Sequence, residues 1–324
     1  MKTQDIKLDA IEFKDERFRI SYAFETFELA PLIRSISEIG LIHPPVITYR
    51  EQKAIIVTGW KRVLACRSCE MASITCSVFE RQNDLEAFRL AVEENLASRP
   101  FTLLEKARIL SRLMHLGLSE REIVNDHLSL LDIPQTPKYL DAYLQIAALD
   151  TETKAVIHSK NMTYPVVELL TEYSEEERRL LMPLLLSLGQ NKQKDLLRNL
   201  LEISKRDRNP VKNILKGADI QKATKDQNFS ALQKADTIRS LIYKQRYPTL
   251  AAWTEAFAFQ KKNLEWPDGI KIEPSPFFEG EVFKVWFAFK DVEEFQTKLA
   301  QLNELVSDEK IARLLKSSPK KDEK

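Results

Sequence analysis

A helical hydrophobic periodicity that runs almost unbroken from Thr102 to about Ser204 constrains this chain more than any other feature. Apolar side chains three and four residues apart bury one stripe of a helix, so such a run dictates helices packed on helices. Its punctuation agrees. Thr102-Leu-Leu-Glu105 and Ser119-Glu-Arg-Glu122 are capping boxes, in which a hydroxyl and a carboxylate satisfy free amides at a helix start. Thr136-Pro137 reads as an N-cap followed by proline at the first helical position. Further helices are expected at Glu152–Ser159, Tyr164–Glu172, Ser174–Leu188 and Gln193–Lys205. Only 7 glycines occur in 324 residues, and the phosphate-cradling patterns GxGxxG and GxxxxGK[ST] are absent, which excludes Rossmann and P-loop enzymes.

The first hundred residues differ. Strand-like runs are expected at Ile6–Phe13, Pro45–Tyr49, Ala54–Thr58 and Ile74–Phe79. Helices are expected at Phe27–Ile39, ending at Gly40, then after Thr58-Gly59, and at Asp84–Leu96. Residues 187–216 hold eight Lys/Arg against Asp195, Glu202 and Asp207, and Asn209-Pro210 punctuates them, which marks a boundary and a basic contact surface. Beyond it, helices are expected at Ala231–Tyr243 and Ala251–Leu264, and strands at Gly269–Glu273 and Glu281–Phe289. The turn-rich residues Pro274–Gly280 separate those strands, and a last helix covers Val292–Leu315 before a Lys-rich, disordered tail. The apolar residues of Val282–Phe289 predict a strand covered on both faces, and Trp253, Trp266 and Trp286 a core or a dimer interface.

Charge narrows the partners. Lys and Arg number 49 against 48 Asp and Glu, a net of +1, so nucleic acid would be bound through local patches and not by bulk charge. The longest apolar runs are too short to span a bilayer and the N-terminus lacks an apolar signal region, which predicts a soluble, cytoplasmic protein. Cys66, Cys69 and Cys76 make an odd count, and no second pair completes a metal site, so packing is the expected role.

Gly59 follows a strand and precedes a helix, where free amides and the positive helix end suit an anion, and Lys61 and Arg62 add charge for phosphate. Glu94 and Asn95 are adjacent hard oxygen ligands suited to a magnesium that bridges phosphates. The same residues pair as a surface Arg62–Glu94 salt bridge in the simpler structural reading.

Three segments occur in a telling order: Leu32-x-x-Ser35-Ile36-x-x-x-Gly40-Leu41-Ile42-His43-Pro44-Pro45-Val46, then Thr58-Gly59-Trp60-Lys61-Arg62, then Glu94-Asn95-Leu96-Ala97-Ser98-Arg99. Together they resemble the N-terminal domain of ParB-type chromosome-partitioning proteins and their nucleoid-occlusion relatives. The helices after residue 102 are similar to that family's helix-turn-helix domain, so the resemblance covers roughly residues 1–205. It implies an α+β ParB/sulfiredoxin-like domain at 1–100 and an all-α helix-turn-helix domain at 101–205. A basic linker and helix at 206–246 and a small α+β module at 247–324, a candidate for dimerisation, complete the expected layout.

The resemblance also implies ligands and partners. CTP would sit on Gly40, His43, Pro44, Thr58, Gly59, Lys61, Arg62 and Asn95, with Mg2+ on Glu94 and Asn95, and nucleotide would close a clamp around DNA. DNA, a second copy of the chain and a ParA-type ATPase are the implied partners, at the nucleoid. Departures matter. Trp60 replaces an acidic residue tied to hydrolysis, which argues against CTP turnover; His43 replaces a glutamine, and Ser98 an arginine that here follows as Arg99. Sulfiredoxin chemistry needs a Cys at the Trp60 position and is excluded.

For DNA, Lys138, Tyr139 and Gln145 are the candidates for base edges. Lys138 is the one full positive charge between Asp126 and Asp150, so phosphate contacts would come from Lys106, Arg108 and Arg112 and from Lys205, Arg206 and Arg208. Two rival readings stay open: a transcription regulator whose N-terminal domain is only a scaffold, and a ParB-like nuclease built on Glu94 and Glu105.

Overall fold

The structure, a computed structural model, describes residues 1–22, 29–80, 83–264, 266–275, 282–306, 311 and 314. It divides into two compact units, Met1–Lys194 and Asp195–Lys324.

The first unit opens on a four-stranded sheet of β1 (Lys2–Lys7), β2 (Val46–Arg50), β3 (Lys53–Thr58) and β4 (Ser73–Val78), in the order β1-β4-β2-β3. β1 runs antiparallel to β4, and β2 and β3 form a hairpin turned at Glu51 and Gln52, both with positive φ as a tight hairpin demands. β2 meets β4 in parallel, with Ile47 opposite Val78. Helices α1 (Ala30–Ile39), α2 (Trp60–Ser68) and α3 (Asp84–Leu96) accompany the sheet. Ile36, Ile47, Ile56, Val63, Cys66, Ile74 and Cys76 meet in its core. The strand expected at Ile6–Phe13 is corrected. β1 starts at Lys2, and its exposed edge residues Lys2–Asp5 carry no apolar alternation to announce them. It ends at Lys7, where Leu8–Ala10 turn as a 3-10 helix and Ile11 keeps one bridge to Ala54. The start of the expected helix, Phe27 and Glu28, lies outside the described residues.

Helices α4 (Leu103–His115), α5 (Glu120–Glu122), α6 (Pro137–Ala148), α7 (Thr151–Ser159), α8 (Tyr164–Thr171) and α9 (Glu175–Ser187) follow, and α10 (Gln190–Asp207) crosses the boundary between the units. Both expected capping boxes close reciprocally, Thr102 with Glu105 and Ser119 with Glu122. The helix expected from Ser119 does not stay α: it passes through a π turn at Ile123–His127 and a 3-10 turn at Ser129–Leu131. Ile123, Leu128 and Leu131 are buried by that change of pitch, which sets their spacing off the regular 3.6.

In the second unit, α11 (Val211–Leu215) and α12 (Ala218–Lys225) occupy a stretch read from sequence as a basic boundary. Val211, Ile214, Ile220 and Ala223 are buried there, so a thin apolar stripe folds despite the charge. Helices α13 (Ala231–Arg246) and α14 (Pro248–Asn263), strands β5 (Ile270–Glu273) and β6 (Lys284–Phe287), and α15 (Val292–Val306) complete it. Phe257, Leu264 and Ile272 form a small core, with Trp253 and Trp266 packed against it. The expectation that the last strand is covered on both faces is corrected: Val285 and Trp286 are 45% and 48% exposed. A two-stranded sheet has no further strands to shelter it, and the alternating burial falls on β5 instead. Residues 265, 276–281, 307–310, 312–313 and 315–324, which include parts of the expected last helix and the expected tail, lie outside the described residues.

Candidate functional site

The turn from β3 into α2 places the site. Gly59 is its N-cap with φ +84, and no side chain caps the helix, so the first amides of α2 face a cavity with the positive end of its dipole. A Cβ at Gly59 would sit 2.8 Å from the Pro45 Cβ and 3.0 Å from the Arg62 guanidinium, so only glycine lets the β2 entry and the α2 start approach this closely.

The cavity measures about 400 Å³, within the range of small-ligand sites. It brings together Thr58, Gly59, Lys61, Arg62, Glu94 and Asn95, which are up to 37 positions apart in sequence (95 − 58). His43 and Pro44 do not line it but touch its wall, their carbonyls accepting from Arg62 at 3.1 and 3.5 Å. Gly40 ends α1 at φ +80 and does not line the cavity either. Arg62 also donates to Glu94 at 2.7 Å, so in this state its charge is shared with a carboxylate. Asn95 donates its amide to the Ala91 carbonyl at 2.8 Å.

Two buried polar atoms of the cavity wall lack hydrogen-bond partners: the Thr58 hydroxyl and the Trp60 indole nitrogen. Such atoms are costly unless a ligand or water completes them. Trp60 is 8% exposed, packs into the sheet core and lies 5.1 Å beneath the Arg19 guanidinium. Sequence reasoning missed Phe18, Ile20 and Ser21, which line the same cavity, and Arg19 above Trp60. Their alternation of apolar and polar residues was the one available signal.

Arg99 lines the cavity too, but its guanidinium grips Glu105 with two bonds of 2.6 and 2.8 Å. Burial pushes the Glu105 carboxyl up, yet Arg99 and the Thr102 amide outweigh it and hold it below the ordinary range. Glu105 is therefore spent on a cap and an ion pair, and among the described residues Glu94 is the carboxylate that lines the cavity. No cluster of three or more His, Cys, Asp or Glu suited to a metal occurs among the described residues. A magnesium held here would need ligand oxygens beyond Glu94 and Asn95, which fits an ion that arrives with phosphates and not a resident one.

On α6, Lys138 is exposed at the second helical position. Tyr139 is half-buried and its ring lies 5.7 Å from that of Tyr164, while Gln145 accepts from Thr171 at 3.2 Å. Lys106 sits 3.9 Å from Asp132. In the second unit, Arg206 pairs with Asp207 at 2.7 Å and donates to the Gln245 and Arg246 carbonyls, so part of the expected basic surface is committed within the fold.

A mixed α+β chain with an anion-ready turn beside a cavity and a helical bundle after it is the class that fold and site define. No protein-family model matches the chain. A nucleoid occlusion protein of Shouchella clausii is 28% identical over 174 residues, 49% of this chain and 60% of that protein. A probable chromosome 1-partitioning protein ParB of Deinococcus radiodurans is 25% identical over 189 residues, 55% of this chain and 62% of that protein. The chain is thus a sequence relative of ParB-type partitioning proteins, and its matched part spans about three fifths of their length. Two crystal structures of C-terminally truncated ParB from Caulobacter crescentus also match. The one complexed with CTP-gamma-S has a TM-score of 0.27 at 17% identity, over 54% of this chain and 94% of that one. The one complexed to the centromeric parS site has 0.34 at 15% identity, over 60% and 98%. No helix among the described residues is long and apolar enough to cross a membrane.

Proposed function

We propose that the chain is a ParB-like DNA-binding protein in which CTP occupies the cavity beside Gly59 and gates a clamp in chromosome or plasmid partitioning. The observation that carries this reading is the convergence of the Thr58–Arg62 and Glu94–Arg99 segments on one cavity at an uncapped helix N-terminus, with His43 and Pro44 bonded to Arg62 behind its wall. The α2 amides, Lys61 and Arg62 would hold phosphates. Magnesium would enter with the nucleotide on Glu94 and the Asn95 carbonyl oxygen, neutralising phosphate charge. Arg62 and Glu94 must then part, each exchanging its present partner for the phosphates or their ion.

Within this reading, residues 1–100 bind nucleotide, 101–205 read DNA through Lys138, Tyr139 and Gln145, 206–246 connect, and 247–324 serve dimerisation. Lys205, Arg206 and Arg208 would add phosphate contacts. A second copy of the chain and a ParA-type ATPase are the proposed protein partners, at the nucleoid in the cytoplasm. The Arg62–Glu94 bridge favours the second reading, a transcription regulator whose N-terminal part is a scaffold. Calorimetric titration of the four ribonucleotides with magnesium separates the two. Selective CTP binding that Arg62→Ala abolishes is expected; weak, equal binding of all four, indifferent to that change, would remove the nucleotide assignment.

A further inference from the structure

A second cavity of about 290 Å³ opens between α4 and α7. Arg108, Arg112 and His115 of α4 and Lys154 of α7 line it around the ring of Tyr22. The Arg108 guanidinium lies 4.3 Å from the ring centre and the Lys154 ammonium 5.6 Å. Two cations therefore lie against one aromatic ring, with Arg112 lining the same cavity.

Among the described residues the carboxylates near the cleft are shared with other cations. Glu16 reaches Arg108 at 3.8 Å with one oxygen and holds Arg19 at 2.5 Å with the other, and Arg108 also donates to the Ser21 carbonyl. Asp15 is bound to Arg17 at 2.8 Å, and Asp150 accepts from Thr153 and pairs with Arg178 at 2.9 Å. Among the described residues Arg112 and Lys154 have no carboxylate within 4.0 Å, and Lys154 donates to the Ala147 carbonyl at 2.6 Å instead. Burial pushes both Arg108 and Lys154 down, against the opposing pull of Glu16 on Arg108 and of Asp150 on Lys154, and the cations of the cleft push on one another. An aromatic face offsets less than the desolvation of one such ion.

The geometry points to a phosphate-binding site in this cleft, in which Arg108, Arg112 and Lys154 take the oxygens of a small ligand's phosphate group. Guanidinium forks match paired phosphate oxygens, and the ammonium supplies a third contact. A small ligand is favoured over duplex DNA, for which Arg108 and Arg112 are candidates from sequence. Ala147, at the cleft, is nine residues from Lys138 on α6 (147 − 138), two and a half turns, and so lies on the opposite side of the helix from the residue proposed to read DNA. The proposal does not rest on the nucleotide reading of the first cavity.

The test is calorimetric titration of the full chain with inorganic phosphate at constant ionic strength, then with CTP, for the unmodified protein, Arg112→Gln, Lys154→Gln and Arg62→Ala. Saturable phosphate binding is expected, weakened roughly tenfold or more by either cleft substitution and kept by Arg62→Ala. Competition by CTP would assign the phosphate to a nucleotide, and its absence to free phosphate; either supports the site. No saturable binding, binding indifferent to both cleft changes, or loss in Arg62→Ala alone overturns it, as does displacement of phosphate by duplex DNA. Should Lys154→Gln fail to fold, as judged by circular dichroism, Arg112→Gln decides, since among the described residues that half-buried side chain makes no ion pair.

Discussion

Adding one methyl group at Gly59 tests whether close approach or backbone handedness makes glycine necessary there. Gly59→Ala places a Cβ 2.8 Å from the Pro45 Cβ, part of a buried ring that has little room to yield, and 3.0 Å from Arg62, which has more. Gly117 is the control: its φ is +95, and a Cβ there meets nothing within 4 Å. Handedness alone costs about 1–2 kcal/mol for a residue with a side chain, and overpacking adds about 1–3 kcal/mol at Gly59 only. Gly117→Ala should therefore lose about 1.5 kcal/mol and Gly59→Ala about 3 kcal/mol. For a unit of 194 residues this corresponds to melting shifts of about 3–6 °C and 6–12 °C. Tryptophan-detected thermal and urea unfolding of the full chain measures both. Equal losses at the two positions would refute the argument that the β2 entry and the α2 start are held in contact through this glycine.

Glu105→Gln should destabilise the first unit by about 3 kcal/mol, the low end for breaking a buried ion pair, because Arg99 is partly exposed. Since the folded carboxyl is held below its ordinary value, its contribution is complete above the unfolded pKa near 4.3 and disappears as pH falls through the folded value. The gap between wild type and variant in urea midpoints should begin to narrow as pH falls below about 4.3; a gap constant down to about pH 3 would contradict it. CTP, once bound, should turn over slowly or not at all, because indole at position 60 orients neither water nor metal; rapid phosphate release by nucleotidase-free protein would show that another group carries the chemistry. Trp60→Glu tests the same point, with a stability loss of about 3–5 kcal/mol to be measured alongside, since Trp60 belongs to the core. Neutralising Lys205, Arg206 and Arg208 together should weaken DNA binding and flatten its salt dependence, the logarithmic slope falling by roughly one for each DNA phosphate left without its cation; an unchanged slope would make the stretch a structural segment only.

Much of this fold is legible in the sequence where local chemistry decides it. The 102/105 and 119/122 boxes, the Asp84–Leu96 helix and the glycine turn at 59 all stand where the residues announce them. What escapes is set by non-local partners. β1 borrows its register from β4, so its exposed polar residues give no warning of it. The π turn at Ile123–His127 answers to burial against neighbouring helices. β6 carries a core-like composition without a core, because apolarity shows what a strand can bury and not whether anything covers it. At the cavity, the charged residues were legible and their mutual pairing was not: Arg62 and Glu94 meet across 32 positions, a distance no spacing rule encodes.

The three cysteines give the chain a simple thiol chemistry. Cys66 and Cys76 are fully buried in the sheet core, where burial pushes both thiols up, Cys76 to about 12. Neither offers a thiolate to an alkylating or oxidising reagent while the fold holds. Cys69 is only half-buried, at the end of α2 and 3.4 Å from the Ser37 hydroxyl. A maleimide added to native protein should thus mark one site, and denaturant should expose two more. Cysteines engineered elsewhere for cross-linking need only Cys69 replaced, because the core thiols report unfolding and stay silent otherwise.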